Sequence, residues 1–236
     1  VGSEMCIRDR LEPDLQLLDV GCGTGKAGCR IAGEFDCQVT GISPSQACID
    51  KANALARQVG LAESAQFLIG DGTAMQFADE QFDRVWVMES SHLMDDKGAL
   101  LGECARVLKP GGRLVLCDLV LQAKLPLTRV IEFRDDFLLL KDAFGRARME
   151  TLEFYRDQLQ GHGLTVGHSR DISSETLATF QHWRDNAEQH RERVEQLIGA
   201  RAWTQFRDSC DVLARLWRDG IMGYAILSAT RPPSPA

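Results

Sequence analysis

Several things are scarce in this 236-residue chain, and each scarcity narrows what it can be. No apolar stretch approaches the roughly 18 residues of a membrane-spanning helix, and no basic-then-apolar signal segment opens the chain. Together these predict a cytoplasmic protein without a membrane partner. Basic residues are outnumbered, 27 Lys and Arg against 34 Asp and Glu, for a net charge of -7. Phosphate binding rests on clustered Lys and Arg, so the balance argues against a nucleic-acid partner and for a small-molecule substrate. Eight cysteines are present (Cys6, Cys22, Cys29, Cys37, Cys48, Cys104, Cys117 and Cys210), but there is no Cys-x-x-Cys and no Cys/His cluster at metal spacing. They read as reduced thiols acting as small hydrophobes, and no metal is expected. Repeats and low-complexity blocks are missing as well. What remains is a chain with 44% hydrophobic residues, long enough for one α/β domain with an appended subdomain, as a monomer or homodimer.

The most informative segment runs from Leu17 to Lys26, Leu-Leu-Asp-Val-Gly-Cys-Gly-Thr-Gly-Lys. Leu15, Leu17, Leu18 and Val20 give the near-continuous apolar run of a central parallel strand covered on both faces. Gly21 and Gly23 then allow backbone angles and close approaches that a Cβ would block. A helix from about Lys26 would aim its unpaired N-terminal amides at whatever the loop holds.

A dinucleotide loop needs Gly-x-Gly-x-x-Gly, but the third glycine position holds Lys26 and the extra glycine falls at Gly25. The Asp-Val-Gly-Cys-Gly-Thr-Gly pattern resembles instead the first motif of class I S-adenosylmethionine-dependent methyltransferases. The resemblance covers roughly Leu15 to Asp118, through Gly70-Asp71-Gly72 and Leu108-Lys-Pro-Gly-Gly as well. It implies S-adenosylmethionine as cofactor and a doubly wound, Rossmann-like α/β fold: a seven-stranded, mostly parallel sheet whose last strand is antiparallel and next to the fifth.

Patterning places the elements. Helix is predicted over Ala27 to Phe35, strand over Cys37 to Ile42, and a helix started by Ser43-Pro44 and ended by Gly60. Strands follow at Phe67 to Ile69 and Phe82 to Met88, then a helix over Lys97 to Leu108, a turn at Lys109-Pro110-Gly111-Gly112, and a fifth strand over Arg113 to Cys117 ending at Asp118. Such strand–helix alternation implies right-handed crossovers. Thr151 to Gln160 is a further helix, with Leu164 to Ser169 and Ile221 to Thr230 the remaining strands. Two apolar stripes at helical spacing, Val130 to Met149 and Ala202 to Trp217, fall outside the sheet, with a polar helix near Glu188 to Ile198. They suit a helical lid subdomain, with insertions at about 124–149 and 172–219, although core packing of a helical unit would use the same stripes. Residues 11–230 form a single domain in this reading, and Pro232, Pro233 and Pro235 mark a frayed tail over 231–236.

Ligands of open α/β sheets sit beyond the carboxyl ends of the strands, so the residues just after each strand are read together. They are Gly21, Gly23 and Gly25; Ser43 with Gln46; Asp71, Gly72 and Thr73; Glu89, Ser90 and His92; and Asp118. The resemblance implies that Asp71 accepts from the adenine amino group, that Gly21 and Gly23 pack on the cofactor, and that Asp19 supports its ammonium end. Most members of the fold carry Asp or Glu after the second strand for the ribose; here Ser43 and Gln46 would serve, and Ser43 could equally cap the next helix. The Gly-Ile-Ser form resembles a subgroup that methylates sugars and other natural products, the rebeccamycin and rifamycin type O-methyltransferases, with the ubiquinone and tocopherol type nearby. In that subgroup a His after strand four and an Asp after strand five face the acceptor hydroxyl, matching His92 and Asp118; a second His often present there is Leu93 here. A histidine with an ordinary pKa near 6.5 suits removal of the hydroxyl proton, and a positioned base contributes about 10² to 10⁴ in rate.

The expected activity is therefore methyl transfer from S-adenosylmethionine to a hydroxyl oxygen of a natural product or sugar. N- or C-methylation of a small metabolite or a quinone or prenyl-type acceptor fits the same motifs, and a non-catalytic S-adenosylmethionine-binding domain is the rival from another class. A nicotinamide oxidoreductase lacks both its third glycine and its acidic residue after strand two. The first ten residues, Val-Gly-Ser-Glu-Met-Cys-Ile-Arg-Asp-Arg, resemble translated sequencing-adapter read-through, so residues 1–10 are expected to be non-native. On that expectation, the N-terminal helices with which such methyltransferases usually close over the cofactor would be missing.

Overall fold

The computed structural model describes residues 11–234; the expectations for residues 1–10 and for the last two residues of the tail lie outside the described residues. Seven strands form one sheet in the order β3-β2-β1-β4-β5-β7-β6. They are β1 (Gln16–Val20), β2 (Gln38–Ser43), β3 (Ala65–Ile69), β4 (Phe82–Met88), β5 (Leu108–Leu121), β6 (Thr165–Asp171) and β7 (Met222–Thr230). The β1–β2, β2–β3, β1–β4 and β4–β5 pairs are parallel. β7 runs against β5: Gly111 N–H donates to Arg231 O and Arg231 N–H to Gly112 O at one end, while Gln122 N–H donates to Ile221 O at the other. The resemblance anticipated this arrangement. Leu17, Leu18 and Val20 of β1, Val85 to Val87 of β4 and Leu114 to Cys117 of β5 are buried without alternation, as central strands covered on both faces must be.

Three helices join these strands: α1 (Lys26–Phe35), α2 (Gln46–Gln58) and α3 (Lys97–Val107). The alternation breaks once, since no helix joins β3 to β4 among the described residues. Several boundaries differ from the sequence reading, β3 beginning at Ala65 and β5 running on past Asp118 to Leu121, and two of the differences are set by main-chain pairing. Ser43 stays in β2, opposite Ile69, and its carbonyl accepts from Gly70 N–H, so the cap of α2 passes to Ser45, whose hydroxyl accepts from Cys48 N–H at 3.3 Å. Lys109 to Gly112 is not a free turn but the first part of β5, held by the Arg231 main chain. Arg231 is itself tied down, its guanidinium donating to the carbonyls of Ala105, Arg106 and Leu108 and to Glu80.

The chain divides into two compact units. The first comprises residues up to Asp118, Glu153–Arg170, which carries most of helix α6 (Leu152–Gly161), and the chain from Ile226 on. The second comprises Leu119–Leu152 and Asp171–Ala225. It holds α4 (Leu127–Glu132), α5 (Arg134–Phe144), α7 (Ser173–Thr176), α8 (Ala178–Gln189), α9 (Arg191–Ile198) and α10 (Ala200–Arg218). The stripe expected over Val130 to Met149 breaks at Phe133 into α4 and α5 and stops at Phe144, where Gly145 takes φ 90°. The unit has a core of its own. Phe133, Phe180, Leu213, Leu216, Trp217, Ile221 and Met222 cluster there, the Phe180 and Trp217 rings meeting edge-on at 4.7 Å. Arg215 of α10 pairs with Asp136 of α5 at 2.6 Å, and the guanidinium groups of Arg191 and Arg207 lie over the Trp203 ring at 4.4 Å and 5.2 Å from its centre.

Candidate active site

Register brings the carboxyl ends of the parallel strands of the first unit into one row. Val20 pairs with Ile42 and Val87, Ser43 with Ile69, and Met88 with Cys117. The loops leaving β1, β2, β3 and β4 therefore emerge along one edge, with Asp118 of β5 next to the last parallel pair, which is where the sequence placed its candidates.

The β1 loop is shaped by its three glycines. Gly21, Gly23 and Gly25 adopt φ of 82°, 52° and 76°, the left-handed region that side chains avoid. A Cβ on Gly21 would stand 2.3 Å from Ser90 Cβ, whereas one on Gly23 would meet nothing within 4 Å. The first glycine thus permits packing inside the protein, and the second leaves the main chain open to a ligand. Gly21 and Cys22 both donate to Ile42 O, pinning the loop to β2. Gly25 caps α1 without a side-chain hydrogen bond, so no side-chain cap takes up the helix's first amides.

Asp19 lies beneath this loop, 4% exposed, and its Oδ2 has no hydrogen-bond partner. Burial pushes its carboxyl up to about 7. Asp19 is in register with Gly41 on one side and Trp86 on the other, so the three share a sheet face. A buried carboxylate oxygen without a donor is costly, and a cationic ligand group is one way to offset it.

The other candidates divide. Asp71 is exposed, and its Oδ1 accepts from the main-chain N–H and hydroxyl of Thr73, both at 2.8 Å, which fixes the carboxylate at the end of β3. Gly72 is buried against Val20 and Leu100. Ser43 is buried and its hydroxyl accepts from Ser45 N–H at 3.3 Å; exposed Gln46 turns its amide to Asp50 at 2.8 Å. Glu89 is exposed with φ 48°, an unusual angle for a side-chain-bearing residue, and its N–H donates to Cys117 O. Ser90 is committed internally, its buried hydroxyl donating to Val20 O at 2.6 Å.

The opposite end of the row is a closed network. His92 sits in a 3₁₀ turn, Ser91–Leu93, and its Nδ1 lies 2.6 Å from Oδ1 of Asp118, which is 0% exposed. Oδ2 of Asp118 accepts from the hydroxyl of Ser91 at 2.5 Å and from His92 main-chain N–H at 3.1 Å. Behind Ser91 stands Tyr155 of α6, fully buried, its hydroxyl 2.7 Å from Ser91 Oγ. The sequence reading named His92 and Asp118 but missed Ser91 and Tyr155. Spacing of Leu152, Tyr155 and Leu159 on one helix face signals that Tyr155 is buried, but nothing local signals its partner 64 residues away. No cluster of three or more potential metal ligands occurs among the described residues.

The carboxyl ends of the strands thus bring together a glycine loop, an unsatisfied carboxylate beneath it and, at the far end of the row, a histidine–aspartate pair. Residues 18–116 match the family described as "Methyltransferase domain". The chain is 31% identical over 217 residues to 27-O-demethylrifamycin SV methyltransferase of Amycolatopsis mediterranei (strain S699), covering 92% of this chain and 77% of that protein. It is 39% identical over 101 residues to the chloroplastic tocopherol O-methyltransferase of Arabidopsis thaliana, spanning 43% of this chain but only 29% of that one. Among solved structures, the [4+2]-cyclase SpnF superposes with a TM-score of 0.80 at 28% identity, over 98% of this chain and 80% of that one. The chain belongs to the S-adenosylmethionine-dependent methyltransferases.

Proposed function

We propose that the protein transfers a methyl group to a hydroxyl oxygen of a natural product or sugar, with His92 as the base. The supporting observation is the pairing of His92 Nδ1 with fully buried Asp118 at 2.6 Å, which leaves Nε2 as the ring's acceptor. The relatives named as O-methyltransferases, including one whose name specifies a 27-O-demethylrifamycin substrate, support oxygen as the acceptor atom.

The cofactor fits the residues present. The unpartnered Oδ2 of Asp19 suits its ammonium group, the open face of Gly23 and the loop at Gly21 and Gly25 its amino acid portion, and the uncapped first turn of α1 its carboxylate. Ser43, Gln46, Asp71, Gly72 and Thr73 would hold the ribose and adenine, with Glu89 at the rim, while Ser90 shapes the loop through Val20. Bound S-adenosylmethionine supplies a methyl group on a positively charged sulfur that leaves as a neutral thioether. His92 Nε2 takes the acceptor's hydroxyl proton, Nδ1 keeps its own proton and donates it in a hydrogen bond to Asp118 Oδ1, and the buried carboxylate balances the imidazolium that results.

Incubation with S-adenosylmethionine and a panel led by 27-O-demethylrifamycin SV, sugars and prenylated phenols, read by mass spectrometry and NMR of the product, tests this. Gain of one methyl on oxygen with release of S-adenosylhomocysteine is the expected result. A methyl group found on nitrogen or carbon would replace the oxygen assignment, and cofactor binding without methyl transfer to any acceptor would favour a binding domain.

A further inference from the structure

The carboxylate of Asp118 is 0% exposed, so donors of the protein must satisfy its oxygens in place of water. Three are in place: His92 Nδ1–H on Oδ1, and the Ser91 hydroxyl and His92 main-chain N–H on Oδ2. Proton counting then fixes the fourth member. Ser91 has one hydroxyl proton and spends it on Asp118, so at 2.7 Å from Tyr155 it must accept, and Tyr155 must donate. Every hydrogen bond therefore points toward the carboxylate, from Tyr155 through Ser91 on one side and from His92 on the other. Aligned donors of this kind polarise one another in a water-free interior. All the members lie within the first unit.

We propose that Tyr155 and Ser91 are positioning residues for His92: by donating in series to Asp118 they fix the carboxylate so that Nδ1 of His92 carries the ring proton and Nε2 faces the acceptor unprotonated. The proposal rests on His92 being the base, and it assigns to α6 a part in proton removal, although Tyr155 touches neither cofactor nor acceptor. It also explains a tyrosine hydroxyl in a wholly buried position, where a phenylalanine would pack equally well without needing a partner.

Proton NMR of the full chain tests it without any acceptor. The wild-type protein should show a far-downfield His92 Nδ1 proton that disappears in Asp118→Asn and moves upfield in both Tyr155→Phe and Ser91→Ala. Tyr155→Phe keeps the ring and hence the packing; wild-type-like melting would confirm this. With 27-O-demethylrifamycin SV as probe, Tyr155→Phe should lower kcat by about threefold to tenfold, leaving KM and cofactor Kd within about twofold, and adding it to His92→Gln should cost nothing more. A resonance unmoved by Tyr155→Phe, or an additive loss in the double variant, overturns the proposal. If the resonance moves but His92→Gln keeps full turnover, the positioning stands and the assignment of His92 as base falls.

Discussion

Asp19 and Asp118 are both aspartates buried at or near the carboxyl ends of parallel strands, at 4% and 0% exposure, yet their surroundings are opposite. Asp118 is held by three donors from the adjacent residues Ser91 and His92, with Tyr155 of α6 behind Ser91, whereas Asp19 keeps an oxygen with no partner and a carboxyl pushed up to about 7. The difference separates two kinds of buried charge. Asp118 belongs to machinery complete in the protein alone, and Asp19 to a site completed by what binds there. Burial by itself would have ranked them as equals; only hydrogen-bond accounting distinguishes them.

The strongest way to break the contrast is at the closed end. His92→Gln should lower turnover by about 10² or more while the cofactor Kd stays within about twofold, measured by S-adenosylhomocysteine release and calorimetry. Unchanged turnover would strip the Asp118 network of its chemical purpose. Next comes the open end: Asp19→Asn should weaken S-adenosylmethionine binding by about tenfold while raising the melting temperature of the unliganded protein at pH 8, because a buried unpaired carboxylate is replaced by a neutral amide. A lower melting temperature would mean that Asp19 has a partner in the free protein.

The third test sharpens the contrast through pH. Burial raises the Asp19 carboxyl from its ordinary 3.8 to about 7, so the fold favours the protonated acid. The stability this group provides is complete below pH 3.8 and is lost as pH rises through about 7. Denaturant titrations of wild type and Asp19→Asn should therefore diverge between those values, with the variant the more stable at the alkaline end, and saturating cofactor should shrink the gap. The smallest effect belongs to Ser90→Ala, which removes one hydrogen bond to Val20 and should cost about 1 kcal/mol of stability with little change in cofactor affinity. A large affinity loss would return Ser90 to the set of residues touching the cofactor.

The legible parts of this molecule are those in which neighbouring residues decide the outcome. The run from Leu17 to Gly25 carries strand, loop and helix start together, because apolar continuity and left-handed glycines are local properties. Ser43 was misread as a helix start for the opposite reason: its fate is set by pairing with Ile69, 26 positions along the chain in a different strand. Lys109 to Gly112 looks like a turn until Arg231 arrives to pair with it. Helix α8, with Phe180 and Ala187 buried amid polar neighbours, offered too thin a stripe to be seen. In the site, His92 could be placed by its position after β4 and Asp118 by its nearness to the end of the apolar run in β5, although that strand continues past it to Leu121; Tyr155 enters through the packing of α6.

The tryptophans carry a practical consequence of the two-unit division. Trp183, Trp203 and Trp217 all belong to the helical unit, while Trp86 is buried in β4 of the other, in register with Asp19. Three of the four tryptophans therefore report on the helical unit during unfolding and one on the sheet. With the other three tryptophans changed to phenylalanine, Trp86 becomes an optical probe seated beside the charge that a cofactor would neutralise, able to report occupancy without any substrate being consumed.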